Sequence, residues 1–231
     1  MRSERAGGPP RVFVGLPAYR GMEIPTARSL LSLVWALDGG GLLDGRFEFL
    51  GNSLGEGYGC ARNSEEAALA AIELKADVLL HVDADMSFTP EDVLVLLDTW
   101  DRSGGEAAVG AMYPASRGGP LVGALCDVPT VDLNGTPGPG AFTGRATAAS
   151  LVAQQGECAY EARLLGFGLI AIPVFRLELL VRERGFAFHE SAMGRRVDGV
   201  DSTFCETSNN RRWPLVAELR CKAKHLQRTW E

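Results

Sequence analysis

Two aspartates, Asp83 and Asp85, are the residues whose type and spacing most directly suggest chemistry. They follow a mostly apolar run at 78–82, which predicts a strand buried on both faces. In an open α/β sheet, ligands bind just beyond the carboxyl ends of such strands. Two like charges this close are unfavourable unless a cation lies between them, so the pair predicts a divalent metal site. In the alternative interpretation they only cap the turn at Thr89 or form a salt bridge.

A helix that precedes this strand supplies a second candidate site, for an anion. Asn63, with Glu66 three residues later, resembles a capping box and predicts a helix that runs to about Ala76. Arg62 and Asn63 then lie at the helix N-terminus. The unpaired N–H groups and the positive end of the helix dipole favour anions there.

The elements needed to position these residues alternate along the first half of the chain. Pro25 suits the first turn of a helix that ends at the glycines 39–41, and Thr89 with Pro90 suits the start of another. Strands are predicted at 11–17, 47–50, 78–82 and 107–113, with helices between them. This order predicts an α/β fold, a single Rossmann-like domain with a mostly parallel central sheet flanked by helices.

The second half of the chain is less regular. Residues 115–145 contain seven glycines and four prolines, which predicts loops and a binding loop or lid. Beyond them we expect a buried apolar run at 164–172, a helix from Pro173 to Arg184, a short strand at 186–189, and a short helix at 200–207. The alternation at 215–224 predicts one half-buried strand, with His225 at its end. Residues 1–10 form a flexible N-terminus, and 11–231 form the single domain.

Composition narrows the class of protein. The net charge of −6 argues against a polyanion binder by bulk charge. Five cysteines with no CxxC motif disfavour a disulfide framework and a zinc ribbon, and favour a reduced, cytoplasmic location. No signal peptide and no apolar run long enough to span a membrane is expected.

Several segments together resemble the GT-A fold glycosyltransferases, and most closely the family 2-like group with small members in phages and bacteria. Val-Asp-Ala-Asp-Met at 82–86 looks like the DxD motif of that family. The other resembling segments are Pro17-Ala18-Tyr19, Ala61-Arg62-Asn63, Leu165-Gly166-Phe167-Gly168, Asp201-Ser202-Thr203-Phe204-Cys205 and His225. The resemblance covers nearly the whole chain, but Val200 stands where the family usually has Glu.

The resemblance implies a metal-dependent transfer of a sugar from a nucleotide-diphosphate sugar, with a UDP-sugar as the guess, to a hydroxyl acceptor. It implies that Mn²⁺ or Mg²⁺ is held by Asp83, Asp85 and His225, and that the donor is also bound by Arg62 and by Pro17, Ala18 and Tyr19. The acceptor would lie against Gly166, Phe167 and Gly168. Asp201 would be the catalytic base of an inverting reaction. Residues 11–114 would form the donor half of the domain and 115–231 the acceptor half.

The acceptor is the least constrained part of this expectation. Relatives in phages suggest a hydroxylated base in DNA, which would be flipped out of the duplex, and a glycan is the alternative. The segment 195–231 holds eight Lys or Arg against five Asp or Glu, which is either solvated surface or a contact for an anionic acceptor.

Competing interpretations stay open for the residues and for the protein. Asp201 could be a helix N-cap and His225 a surface residue, whereas His81 and His189 are interpreted as structural. A nucleotidyltransferase or a non-catalytic module that binds sugar nucleotides or DNA would also suit such a sheet.

Overall fold

The computed structural model describes residues 8–18, 21–38, 45–56, 59–113, 124–126, 159–189, 191–193 and 196–226. The strands are β1 (Arg11–Ala18), β2 (Glu48–Glu56), β3 (Val78–Val82), β4 (Met86–Ser87), β5 (Ala108–Ala111), β6 (Ala124–Cys126), β7 (Ala159–Leu165), β8 (Leu169–Pro173), β9 (Ser191–Met193), β10 (Arg196–Asp198), β11 (Leu215–Glu218) and β12 (Lys224–His225). The helices are α1 (Ile24–Asp38), α2 (Cys60–Glu73), α3 (Pro90–Arg102), α4 (Val174–Arg184) and α5 (Val200–Asn210).

Within the described ranges, eight strands form one sheet in the order β2-β1-β3-β8-β5-β11-β7-β6. β1 is parallel to β2 and β3, and β11 is parallel to β5. β8 lies antiparallel between β3 and β5, and β7 is antiparallel to β11 and β6. Six strands therefore point one way and two the other, which confirms the predicted mostly parallel sheet of an α/β fold.

Helices cover both faces of this sheet. Apolar side chains of α2, α4 and α5 pack on one face, and those of α1 and α3 pack on the other. Because both faces are covered, all five residues of β3 are buried. Close contact between α2 and β1 depends on Gly15, since a Cβ atom there would lie 2.6 Å from Cβ of Ala67.

Of two helix starts predicted from capping signals, the start of α3 is confirmed and the capping box of α2 is wrong. Thr89 caps α3 in a full capping box with Asp92, as its position before Pro90 indicated. The capping box predicted at Asn63 is wrong. α2 begins at Cys60, after the N-cap Gly59, and the side-chain amide of Asn63 donates instead to the carbonyl of Gly55 at 3.2 Å.

Two strand predictions in the second half are also wrong. No strand forms at 186–189, because the N–H groups of Ala187 and Phe188 donate to Oε2 of Glu65 rather than to a neighbouring strand. The strand predicted at 215–224 ends at Glu218, because its side chain accepts a hydrogen bond from the backbone N–H of Arg220 and the chain bends. A separate short strand, β12, carries His225.

The apolar run at 164–172 is buried as predicted, but it forms two antiparallel strands, β7 and β8, joined by a turn at 166–168. α4 starts one residue after Pro173 and ends at Gly185, whose φ of +83° suits glycine. Residues 1–7, and 115–145 apart from β6, lie outside the described residues, so the flexible N-terminus and the binding loop stay predictions.

Candidate functional site

Asp83 and Asp85 lie directly beyond the carboxyl end of β3, as predicted. The backbone N–H of Asp83 donates to the carbonyl of Gly168 at 2.9 Å, and the carbonyl of Asp83 accepts from Met86 at 3.2 Å. This turn presents both carboxylates at the edge of the sheet, where they are partly exposed. Neither caps α3, since Thr89 and Asp92 do so.

His225 is brought to this edge by strand pairing. β12 pairs antiparallel with β4, which places His225 opposite Met86, and the N–H of Leu226 donates to the carbonyl of Asp85 at 2.6 Å. Nε2 of His225 lies 3.2 Å from Oδ2 of Asp85. The hydrogen bond with Asp85 raises the pKa of His225, against the opposing effect of burial. His225 is therefore a partly buried partner of Asp85 and not a solvated histidine at the end of a strand.

The electrostatics of Asp83 are unfavourable to its own charge. Burial raises the pKa of Asp83 to about 7, and the negative charges of Asp85 and Asp201 act in the same direction while His225 opposes them. Two other carboxylates thus act on Asp83 at this edge of the sheet. A cation at this edge would relieve their repulsion.

A pocket of about 200 Å³ opens beside this edge. It is lined by Cys60, Asp83, Tyr113, Phe167, Gly199, Val200 and Asp201. The pocket therefore brings together one residue expected on the donor side, Asp83, one expected on the acceptor side, Phe167, and the expected base, Asp201. Its volume suits a sugar ring or a phosphate rather than a whole nucleotide sugar.

Asp201 lies in the first turn of α5, and it does not cap that helix. The N-cap is Gly199, and Oδ1 of Asp201 accepts from the N–H of Ser202 at 2.7 Å. A Cβ atom on Gly199 would lie 3.0 Å from that same Oδ1, so glycine leaves room for the carboxylate. Val200, where the resemblance expects Glu, is buried and forms an apolar part of the pocket wall.

The other residues expected to bind the donor lie outside the pocket lining. Arg62 is exposed on the first turn of α2, with Nε 3.4 Å from Oε1 of Glu66. Pro17 and Ala18 are buried at the end of β1, so a contact there would be made by their backbone. Tyr19 lies outside the described residues.

The turn at 166–168 packs against residues of the pocket and of the sheet edge. Phe167 is 4% exposed and makes edge contacts with the rings of Phe188 and Phe204. A Cβ atom on Gly168 would lie 2.7 Å from the Tyr113 ring and hydroxyl and 2.9 Å from Sδ of Met86, so only glycine fits. Gly168 therefore acts through close packing, and Gly166 takes part as a member of the turn.

His81 is structural, as interpreted, and the structure shows how. It is completely buried in β3, with Nδ1 3.0 Å from the carbonyl of Phe167 and Nε2 3.0 Å from Oγ of Ser64. Because a carbonyl only accepts, Nδ1 carries the proton and Nε2 accepts from Ser64. Burial lowers the pKa of His81 to about 4, so the neutral ring ties α2, β3 and the turn together.

Four residues of the pocket lining were not predicted as site residues: Gly199 and Val200, which directly precede Asp201, and Tyr113 and Cys60. Tyr113 follows β5 and is the last residue of the strand predicted at 107–113, while nothing in the sequence distinguishes Cys60 from the other four cysteines. Cys60 is exposed at the first position of α2. The only available signal was their position, since each lies at the carboxyl edge of the sheet where ligands bind.

The residues at this edge suit a divalent cation in their chemistry. Carboxylate oxygens and an imidazole nitrogen are ligands of Mn²⁺ and Mg²⁺, and Asp85 and His225 already lie in contact. Among the described residues, however, no three His, Cys, Asp or Glu side chains lie close enough together to hold a metal. Asp85 and His225 are thus two ligand-type side chains in contact with each other, and Asp83 precedes Asp85 by two residues in the same turn.

Comparison with known proteins defines the fold. No protein-family model matches the chain, and no curated protein matches it. The chain is similar over 96% of its length to the crystal structure of GalNAc-T7 with UDP, GalNAc and Mn²⁺, with a TM-score of 0.55 and 12% sequence identity, and it spans 45% of that chain. A197 from STIV matches over 96% of this chain and 98% of its own, with a TM-score of 0.47 and 14% identity.

The likeness to GalNAc-T7 shows that this protein has a GT-A-like fold, which confirms the fold that the motifs suggested. At this identity the likeness concerns the fold alone. In the described part of the chain, no helix has the length and apolar character needed to cross a membrane.

Proposed function

We propose that this protein is a metal-dependent glycosyltransferase that moves a sugar from a nucleotide-diphosphate sugar to a hydroxyl acceptor. One observation carries the proposal. In a GT-A-like fold, Asp83 and Asp201 line one pocket at the carboxyl edge of the sheet, and Asp85, which pairs with His225, lies two residues from Asp83. The GalNAc-T7 structure to which this fold is similar contains UDP and Mn²⁺.

The metal-binding part of the site would consist of Asp85 and His225, with Asp83 beside them. A divalent cation, Mn²⁺ or Mg²⁺, would supply Lewis-acid stabilisation of the leaving pyrophosphate. Asp85 would bind it directly, and His225 would contribute Nε2. Asp83 would reach the metal, a metal-bound water or the donor ribose. Mixed carboxylate and imidazole ligands suit Mn²⁺ at least as well as Mg²⁺.

The remaining donor contacts would come from the start of α2 and from the end of β1. Arg62 on the first turn of α2 would add positive charge near the phosphates, together with the N-terminal end of the helix dipole. The segment of Pro17, Ala18 and Tyr19 would hold the nucleotide base, and the buried side chains of its first two residues favour backbone contacts.

Asp201 would act as the base that removes the proton from the acceptor hydroxyl. The N–H of Ser202 holds one carboxylate oxygen, and the carboxylate borders the same pocket as Asp83. A base that borders the same pocket as the donor side suits an inverting displacement. The turn of Gly166, Phe167 and Gly168 would form the wall against which the acceptor packs.

The acceptor class follows from the resemblance and from the charge of the C-terminal segment. We favour a hydroxylated base in DNA, flipped into the pocket, over a glycan. Residues 11–114 would then form the donor half and 115–231 the acceptor half of one domain, which acts in the cytoplasm. A DNA acceptor predicts that transfer weakens steeply with added salt.

The test is an assay for hydrolysis and transfer with a panel of UDP-, GDP- and other nucleotide sugars, with and without Mn²⁺. Transfer to hydroxylated DNA or to a glycan is read by mass spectrometry of the acceptor. No turnover and no donor binding with any sugar nucleotide would refute the proposal. Binding without turnover would instead identify a non-catalytic module. Turnover of a nucleoside triphosphate with a sugar phosphate would identify a nucleotidyltransferase.

A further inference from the structure

Tyr113 occupies a central position in the site, although no motif points to it. It lies two residues beyond β5, is 9% exposed, and lines the pocket together with Asp83 and Asp201. It also contacts two other parts of the site, one through its ring and one through its hydroxyl. These two contacts define its role.

The ring of Tyr113 stacks on the ring of His225. The ring centroids are 5.9 Å apart and the planes differ by 19°. Nε2 of His225 faces Asp85, whereas Nδ1 is buried and has no hydrogen-bond partner among the described residues. A histidine that binds a metal is normally oriented by a hydrogen bond from its other ring nitrogen. Among the described residues that bond is missing, and the stacked face of Tyr113 is the contact that can orient the imidazole in its place.

The hydroxyl of Tyr113 is fixed from the opposite side. It accepts a hydrogen bond from the N–H of Gly168 at 3.1 Å, and only glycine leaves room for this approach. The carbonyl of the same Gly168 accepts from the N–H of Asp83 at 2.9 Å. Tyr113 and Gly168 thus connect His225, on one side of the site, with Asp83 on the other.

We infer that Tyr113 is the positioning residue of the metal-binding part of the site, which holds the His225 ring in register with the two aspartates. The inference rests on the proposed function, because it takes His225 as a metal ligand. If Nε2 of His225 bound a metal instead of Asp85, the stack with Tyr113 would still hold the plane of the imidazole ring. A merely structural Tyr113 would fill space in the core and leave metal affinity unchanged.

The test compares Mn²⁺ affinity, measured by electron paramagnetic resonance without nucleotide, in wild type, Tyr113→Leu and Tyr113→Phe. Tyr113→Leu removes the stack, so affinity should fall roughly two- to tenfold, the range expected for one aromatic pair. Tyr113→Phe keeps the ring and should bind Mn²⁺ more tightly than Tyr113→Leu. Phe47→Leu is the matched control. It makes a similar change in the same core cluster, next to β2 at the far edge of the sheet, and should bind as wild type does.

Three results would overturn the inference. Tyr113→Leu could bind Mn²⁺ as tightly as wild type, Tyr113→Phe could be weakened as much as Tyr113→Leu, or Phe47→Leu could be weakened equally. A separate readout needs no variant at position 113. Nuclear Overhauser effects between the ring protons of Tyr113 and His225 must be present in the metal-free wild type, and their absence would also overturn it.

These measurements separate the inference from the proposed function. If wild type binds no Mn²⁺ either alone or together with a nucleoside diphosphate, the metal in the proposed function is refuted, and the Overhauser measurement alone then decides whether Tyr113 orients His225. If wild type binds Mn²⁺ and transfers sugar while Tyr113→Leu keeps full affinity, only the role of Tyr113 fails.

Discussion

Acidification should destabilise the fold through His81, and the size of the effect follows from its burial. The pKa of His81 is lowered by burial from 6.5 to about 4. The unfolded chain therefore takes up a proton at a higher pH than the folded protein does. The stability contributed by the neutral ring is complete above pH 6.5 and is lost as the pH falls towards 4. The loss is about 3 kcal/mol over the whole interval, and about 2 kcal/mol by pH 5.

The assay is urea denaturation of wild type and His81→Asn at pH 7.5 and at pH 5. Asparagine can still donate to the carbonyl of Phe167, but it does not titrate. Between the two pH values, wild type should lose about 2 kcal/mol of unfolding free energy relative to the variant. The comparison must be relative, because the raised pKa of Asp83 makes the folded protein gain stability as the pH falls.

Ile172→Val is the control for a core substitution that does not titrate. It lies on β8, opposite Leu79 of β3, and should cost about 0.5–1.5 kcal/mol equally at both pH values. If the difference between wild type and His81→Asn is the same at pH 7.5 and pH 5, the neutral buried imidazole is not what links α2, β3 and the turn.

Three further predictions concern the site. Asp85→Asn should abolish Mn²⁺-dependent binding of a nucleoside diphosphate, measured by calorimetry. Asp201→Asn should keep that binding but lower the rate of sugar transfer about 100- to 10,000-fold. Normal turnover of Asp201→Asn would exclude Asp201 as the base. Gly168→Ala should lower the unfolding free energy by about 1–3 kcal/mol in denaturant melts, because its Cβ atom meets Tyr113 at 2.7 Å; unchanged stability would show that the turn has room. A maleimide should label Cys60 at the pocket and thereby block nucleotide binding. Bound nucleotide should in turn slow the labelling. Equal labelling rates with and without nucleotide would show that the donor binds elsewhere.

Controls for these site variants are available in the same chain. Asp98→Asn removes a carboxylate that pairs with Arg46 on the surface, and it should leave nucleotide binding unchanged. Labelling of Cys60 is best measured after Cys126 and Cys158 have been replaced by serine. The other two cysteines, Cys205 and Cys221, can stay, because burial raises the pKa of each thiol to about 12 and slows its reaction.

The parts of the site that the sequence could predict depend on neighbours along the chain. An apolar run followed by two aspartates is sufficient to predict a buried strand with carboxylates at its end, as found for β3. Thr89 followed by Pro90 is likewise a local signal, and it locates the start of α3. The motif-based expectations for Asp201 and His225 placed two distant residues at the same edge before the strand pairing was known.

The parts that the sequence could not predict depend on contacts between distant segments. The N–H groups at 187–188 are bound by Glu65, so no strand forms there. β8 inserts antiparallel between β3 and β5, although its apolar residues equally suit a parallel strand. Tyr113 belongs to the site through its stack with His225 and its hydrogen bond from Gly168, and neither partner is near it in sequence.

The pairing of β12 with β4 has a consequence for how the protein is made. Asp85 emerges from the ribosome about 140 residues before His225, and β4 has no described partner other than β12. A nascent chain that has been synthesised only as far as α5 can form much of the sheet, yet it lacks the histidine beside Asp85. During translation the aspartates are therefore present long before the site is complete. If the aspartates and His225 bind a metal as proposed, its capture by the full donor set is a late step in biogenesis.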